Sequence, residues 1–189
     1  MNTDKNNSHT KKTSLEFFEK ILGKEYVLTD ETNVKIFSRD IIEWDAPKPD
    51  VILRPADTNE VSECVRIAND HDLFIAPRGG GLSYTKGYVP EYKRTAIIDL
   101  TRLNKIYEIN VEDFFAIVGA GCTWKNLSDT LKESGLRPAI TGPISGIFST
   151  IGGGASQNIP GSMDAFIGLE VVLANGKIIQ TGSSASQKT

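Results

Sequence analysis

Residues 76–84 read APRGGGLSY and follow directly on a short apolar run, Leu73 to Ala76. Glycine has no Cβ, so three in succession, Gly79 to Gly81, let neighbouring backbone N–H groups converge on one point. Such a concavity binds anions, above all phosphate groups; Ser83 adds a hydroxyl donor and Arg78 adds charge. The alternative is a flexible turn without a ligand, but the position of the loop after a buried strand favours the phosphate site.

The sequence around this loop predicts a βαβ unit. Val51 to Leu53 is a short buried strand, and Asp57 with Glu60 opens a helix whose apolar positions face inward. Leu73 to Ala76 forms a second strand, which we expect to run parallel to the first because a helix connects them. A third strand, Ala96 to Leu100, follows the glycine loop.

The second half of the chain predicts a further set of strands and helices. Ile106 to Ile109 and Phe114 to Val118 are expected to pair, and a helix should run from about Trp124 to the stop signal at Gly135. Near the end, Asn175-Gly176 between two apolar runs is a strong signal for a type I′ hairpin.

A second glycine-rich stretch extends from Thr141 to Asn158. Structureless loops beyond about 12–15 residues are usually functional or disordered, and the Ile and Phe residues here argue against disorder. Small residues and hydroxyls alternate, which suits a backbone wrapped around a polar ligand. We therefore expect amides exposed at Gly79–Gly81 and Gly152–Gly154 to hold a diphosphate from two sides of one cleft.

Composition excludes several classes of function. The net charge of −3 argues against a nucleic-acid partner, and no apolar run reaches the roughly 20 residues of a membrane span. With only two histidines and two widely separated cysteines, Cys64 and Cys122, we predict no metal site and interpret the cysteines as small buried residues. Gly119 and Gly121 mimic a Rossmann fingerprint, but its third glycine would fall at Trp124, which argues against a Rossmann nucleotide enzyme and leaves it as a weaker hypothesis.

Four segments together carry a family resemblance. Pro77–Ser83, Val118–Trp124, Ser149–Gly153 and Gly168–Gly176 resemble, in order and spacing, the PCMH-type FAD-binding domain of the vanillyl-alcohol oxidase, p-cresol methylhydroxylase and glycolate-oxidase-like flavoproteins. The resemblance implies an α+β fold of two small α/β lobes with FAD between them. Full members continue with a substrate domain, so the chain is expected to be the N-terminal portion, truncated on its C-terminal side.

The resemblance also implies a set of cofactor-binding residues, carried over by motif position. They are Pro77, Arg78, Gly79, Gly80, Gly81, Leu82, Ser83, Gly121, Gly142, Pro143, Ser149, Thr150, Gly152, Gly153, Ser156, Asn158 and Ile178. Relatives with a covalently attached flavin have histidine where this chain has Leu82, so we expect non-covalent FAD. No catalytic residue can be named from the sequence.

The resulting hypothesis is the FAD-binding part of an oxidoreductase that oxidises a 2-hydroxy acid or a phenolic alcohol by hydride transfer to FAD. The alternative is a non-catalytic or degenerate FAD- or nucleotide-binding module. We expect a disordered tail (1–13), a helical extension (14–48) with a helix from Ser14 to Leu22, lobe one (49–101) and an incomplete lobe two (102–189). We also expect a cytoplasmic location. The substrate is expected to bind to a missing domain, and a partner chain is expected to supply this C-terminal part.

Overall fold

The computed structural model describes residues 14–42, 45–140, 148–157 and 163–182. These residues form two compact units. Unit one comprises the described residues within Met1–Arg78, Ser83–Asp99 and Val172–Ile178; unit two comprises those within Gly79–Leu82, Leu100–Val171 and Ile179–Thr189. Helices occur beside strands in both, which confirms the predicted α+β class.

Unit one contains a four-stranded sheet in the order β1-β2-β4-β3. Its strands are β1 (Val27–Leu28), β2 (Val51–Leu53), β3 (Phe74–Arg78) and β4 (Thr95–Asp99). β1 is antiparallel to β2, whereas β2 and β3 both pair in parallel with β4. The two strands of the βαβ unit therefore run in the same direction, as predicted. They are not neighbours, because β4 lies between them.

Three helices belong to unit one: α1 (residues 14–22), α2 (Glu31–Phe37) and α3 (Thr58–Asp70). Asp57 caps α3 by accepting from the Glu60 amide, and the Glu60 carboxylate accepts in return from the amide of Ala56, so two N-terminal donors are satisfied. Cys64, buried with its apolar neighbours on α3, lies on the face that the sequence predicted to be inward.

The residue after α1 is a glycine that does not adopt the left-handed helical conformation common at helix ends. The helix ends at Leu22, as predicted, and Gly23 has φ +89° and ψ +145°. Gly23 instead caps a 3₁₀ turn, Lys24–Tyr26, that leads into β1. The positive φ still requires glycine at this position.

Unit two begins with a 3₁₀ turn, Leu100–Arg102, and the predicted antiparallel pair β5 (Ile106–Asn110) and β6 (Phe115–Val118). α4 (Trp124–Lys132) and α5 (Ile151–Ser156) follow, and Met163–Ala165 is a further 3₁₀ turn. The predicted stop at Gly135 is confirmed: its φ is +70°, and the next amide donates to the carbonyl of Leu131.

The core of unit two centres on α4. Its buried residues are Cys122, Trp124, Leu127, Leu131 and Ile151, and half-buried apolar residues of β5 and β6 pack against them. The spacing of Trp124, Leu127 and Leu131 places all three on one face of the helix, which explains why a short, otherwise polar helix forms here.

The late hairpin forms between β7 (Gly168–Val172) and β8 (Ile178–Gly182), as predicted, but its turn is not type I′. A type I′ turn needs a positive φ at both central residues. Gly176 has φ +79°, whereas Asn175 does not adopt a positive φ, and the Gly176 amide donates to the Leu173 carbonyl at 2.8 Å. Asn175 therefore occupies an ordinary turn position, and the left-handed residue comes after it.

Both cysteines are free and fully buried, which confirms their interpretation as core residues. Burial, assisted by Glu60 and Glu63, raises the pKa of the Cys64 thiol to about 12. Because only the thiolate is nucleophilic, we predict that Cys64 stays unlabelled by iodoacetamide at pH 8, where about one part in ten thousand is ionised. Peptide mass spectrometry before and after unfolding in urea measures this; rapid labelling of the native protein would contradict the burial.

Candidate functional site

The first glycine loop lies against the segment that precedes α5. A Cβ on Gly79 would lie 2.4 Å from Oγ1 of Thr150, and one on Gly80 would lie 2.3 Å from the carbonyl oxygen of Phe148. No other residue fits at such distances, so glycine is required at both positions. The two glycine-rich stretches therefore meet, as the sequence predicted.

The loop leaves backbone donors uncommitted. Among the described residues, the amides of Gly80, Gly81 and Leu82 donate to no backbone or side-chain acceptor. Gly81 has φ +71°, a conformation that turns successive N–H groups toward one another. Within this part of the chain, the amides of Gly80–Leu82 are thus the donors of the loop that no described acceptor occupies.

The second glycine cluster behaves differently from the prediction. The amides of Gly152, Gly153 and Gly154 donate to the Ala120 carbonyl (2.9 Å), to Thr150 Oγ1 (3.1 Å) and to the Thr150 carbonyl (2.9 Å). Two of the three are used by the start of a helix, because Thr150 is the N-cap of α5, which begins at Ile151, and the third is used by Ala120. The expectation of bare amides at 152–154 was therefore wrong.

These glycines allow close packing instead. A Cβ on Gly152 would lie 2.8 Å from the Cβ of Ala120, and one on Gly154 would lie 3.2 Å from Nε1 of Trp124. The same role explains the glycine pair that mimics a Rossmann fingerprint: a Cβ on Gly121 would lie 2.0 Å from the Leu100 carbonyl oxygen. The strand before it pairs antiparallel in a two-stranded sheet, which does not fit a Rossmann unit and agrees with the argument against it.

A pocket of about 240 Å³ opens where these segments of unit two meet. It is lined by Gly80, Thr101, Asn104, Gly121, Thr123, Asn126, Phe148 and Thr150. Small-molecule sites usually enclose about 300–1,000 Å³, so the pocket fits only part of a ligand as long as FAD. The lining is neutral, and its polar groups are hydroxyls and amides.

Two of the lining hydroxyls are oriented by helix caps. Thr123 Oγ1 accepts from the amide of Asn126, and Thr150 Oγ1 accepts from the amide of Gly153, each at 3.1 Å. An oxygen that accepts in this way keeps its own hydrogen for donation. Each cap therefore presents an O–H donor beside the free amides, and such neutral donors suit phosphate oxygens.

The structure brings only some of the expected residues to this pocket. Gly80, Gly121 and Thr150 line it. Unit two also contains seven other expected residues: Gly79, Gly81, Leu82, Ser149, Gly152, Gly153 and Ser156. Unit one contains Pro77, Arg78, Ser83 and Ile178. The remaining three, Gly142, Pro143 and Asn158, lie outside the described residues. The sequence reasoning missed Thr101, Asn104, Thr123, Asn126 and Phe148, although Thr123 carries the readable signal of an N-cap.

Arg78 and Ser83, which flank the loop, are engaged within unit one. The Arg78 guanidinium lies 4.6 Å from the ring centroids of both Phe37 and Tyr88 and donates to a backbone carbonyl. Ser83 Oγ shares a hydrogen bond with Thr85 Oγ1 at 2.8 Å. Burial lowers the pKa of Arg78, an effect opposed by Tyr88, Asp99 and Asp40.

Within the described residues, no three histidine, cysteine, aspartate or glutamate side chains come together as a metal site. In the same part of the chain, no helix has the length and apolarity that crossing a bilayer requires.

The sequence matches known proteins over most of its length. The model of the FAD binding domain family matches residues 49–182. The chain is 32% identical to the glycolate oxidase subunit GlcD of Bacillus subtilis (strain 168) over 160 residues, which cover 80% of this chain and 34% of that protein. It is 34% identical to a mitochondrial D-lactate dehydrogenase (cytochrome) of Arabidopsis thaliana over 142 residues, covering 72% and 25%.

Solved structures show the same fold. The 4-ethylphenol oxidase from Gulosibacter chungangensis superimposes with a TM-score of 0.79 at 28% identity, covering 92% of this chain and 35% of that one. p-Cresol methylhydroxylase superimposes with a TM-score of 0.75 at 24% identity, covering 92% and 36%. The chain thus spans about a third of the length of these relatives, or less.

Thr150 should matter for stability before any ligand is considered. Its hydroxyl caps α5, so Thr150→Val, which keeps the shape and removes the acceptor, should lower the free energy of unfolding by about 1 kcal/mol. Thr130→Val is the matched control, because that hydroxyl only donates to the Asn126 carbonyl within α4. Urea denaturation measures both; equal losses in the two variants would contradict the capping role.

Proposed function

The chain belongs to the FAD binding domain family, and from that premise we propose that it is the FAD-binding part of an oxidoreductase acting on a hydroxyl-bearing small molecule. Bound FAD supplies the redox chemistry by accepting a hydride. The relatives named for glycolate and D-lactate are 32% and 34% identical, whereas the relative named for 4-ethylphenol is 28% identical. We take a 2-hydroxy acid as the first substrate class to test and a phenol as the second.

The proposed cofactor site is supported by one observation: the amides at Gly80–Leu82 have no acceptor among the described residues, and Gly80 lines the pocket. We assign the diphosphate of FAD to these amides, with the hydroxyls of Thr123 and Thr150 as additional donors. A diphosphate held by neutral donors needs no lysine or arginine in the pocket, and the described lining residues include neither. The other residues assigned by motif, including Gly142, Pro143 and Asn158, remain predictions.

The FAD is proposed to be held without a covalent bond to the glycine loop. Attachment requires a nucleophilic side chain, and Leu82 offers none where covalently linked relatives have histidine. We therefore predict that acid precipitation of the holoprotein releases all of its flavin into the supernatant. Flavin that stays with the pellet, located by peptide mass spectrometry, would contradict the assignment at this loop.

The second candidate is a binding module without catalysis of its own. It is favoured by the pocket lining, which among the described residues contains glycine, threonine, asparagine and phenylalanine but no titratable side chain. Reduction of bound FAD by glycolate or D-lactate under anaerobic conditions separates the candidates, since a pure module leaves the flavin oxidised. The expected cytoplasmic location, substrate domain and partner chain also remain proposals.

FAD binding itself is the decisive measurement for the site. The purified chain should bind FAD, detected by calorimetry and by the flavin spectrum. Gly80→Ala should weaken binding at least tenfold, because its Cβ would lie 2.3 Å from the Phe148 carbonyl oxygen and the loop would have to move.

Gly87→Ala is the matched control. Gly87 is exposed, and a Cβ there meets nothing closer than Thr85 Oγ1 at 3.7 Å, so its affinity for FAD should equal that of the wild type. Failure of the folded wild-type chain to bind either FAD or ADP would refute the proposed cofactor site in this chain.

A further inference from the structure

The two residues that flank the glycine loop are held by one short segment. Phe37, the last residue of α2, starts this segment, and Ile41 ends it; we call residues 37–41 the clamp segment. Arg78, just before the loop, donates from Nη1 to the carbonyl of Arg39 at 3.1 Å. Ser83, just after the loop, accepts at its carbonyl from the Ile41 amide at 3.4 Å.

Arg78 is also fixed by stacking. Its guanidinium lies between the rings of Phe37 and Tyr88, with 4.6 Å to each centroid. A planar guanidinium stacks on two rings at once, whereas a lysine ammonium presents no plane. The hydroxyl of Tyr88 donates to the Ser83 carbonyl at 3.3 Å, so one ring stacks on the residue before the loop while its hydroxyl bonds to the residue after it.

A buried carboxylate completes the arrangement. Asp40, 8% exposed, accepts from the amide of Ile42 at 2.7 Å and from that of Lys86 at 3.0 Å. The second bond joins the clamp segment to the chain three residues after Ser83. The chain before the glycine loop and the chain after it are thus both bonded to the clamp segment.

We propose that the clamp segment positions the glycine loop, by holding the spacing of Arg78 and Ser83 so that the amides of Gly80–Leu82 converge before a ligand arrives. Arg78 is then a positioning residue and not a direct ligand of the phosphates. The inference rests on the proposed function, because it is the diphosphate that benefits from the ordered loop. A loop ordered in advance loses less conformational entropy on binding, which strengthens affinity without a new contact.

Phe37→Leu is the discriminating variant, because it removes the stacking ring and leaves the loop sequence intact. It should weaken binding of FAD and of ADP about tenfold, the effect of disordering roughly one backbone residue. Phe37→Tyr, which keeps the ring, should bind like the wild type. Phe17→Leu is the control: Phe17 is half-exposed on α1 and its ring contacts His71 instead.

The order of the glycine loop in the free protein can be measured independently of FAD affinity. The {¹H}–¹⁵N heteronuclear NOE of the Gly80, Gly81 and Leu82 amides should fall in Phe37→Leu and stay unchanged in Phe17→Leu. A role confined to overall stability would change the melting temperature in both variants without this local loss. Unchanged NOE values in folded Phe37→Leu would overturn the proposal.

Arg78→Lys serves as the second variant if Phe37→Leu does not fold. Its control is Arg94→Lys, another half-buried arginine that donates to the His71 carbonyl near the opposite end of β3. Arg78→Lys should weaken FAD binding about tenfold and Arg94→Lys should not. Equal affinities in both would overturn the clamp. A wild-type chain that binds neither FAD nor ADP would refute the proposed function, and the NOE comparison would still decide the clamp.

Discussion

The close approach of glycine backbones to neighbouring oxygen atoms is the constraint on which unit two depends. Gly80 faces the Phe148 carbonyl, Gly121 faces that of Leu100 and Gly152 faces Ala120, each at a distance where a Cβ could not be accommodated. These contacts bring the first glycine loop, the start of α4 and the start of α5 to a single pocket. Replacing any of these glycines would force the backbone segments apart.

The two glycine clusters therefore look alike in sequence but have different structural roles. The amides of Gly80 and Gly81 have no acceptor among the described residues, whereas those of Gly152–Gly154 donate to Ala120 and Thr150. The missing Cβ atoms of Gly152 and Gly154 allow close packing against Ala120 and Trp124. The difference comes from Thr150, two residues before Gly152. Thr150 can cap a helix, and once it does, the next amides are consumed by the helix and its surroundings.

The chemistry of the pocket agrees with a binding role for this part of the protein. Its donors are neutral amides and hydroxyls, and two hydroxyls are oriented by the caps that start α4 and α5. None of the described lining residues titrates, so the described lining offers no proton acceptor. The chain spans 34% of the length of its glycolate oxidase relative.

The sequence by itself determined the local elements and the family. Hydrophobic periodicity and helix-capping residues correctly predicted β2, α3, the β5–β6 pair and α4, because such signals act over a few residues. The four ordered motifs were enough to identify an FAD-binding domain, and the family match over residues 49–182 confirms it.

Only the tertiary structure decided which strands are neighbours, which amides are free and where Arg78 lies. β4 pairs between β2 and β3, the Gly152 amide donates to a residue 32 positions earlier, and Arg78 stacks on Phe37 from a distant segment. Each depends on contacts between residues far apart in the chain, and a local pattern carries no information about such partners. Asn175-Gly176 shows the limit even for a turn: the dipeptide predicted the hairpin, but the folded backbone gives a positive φ to Gly176 and not to Asn175.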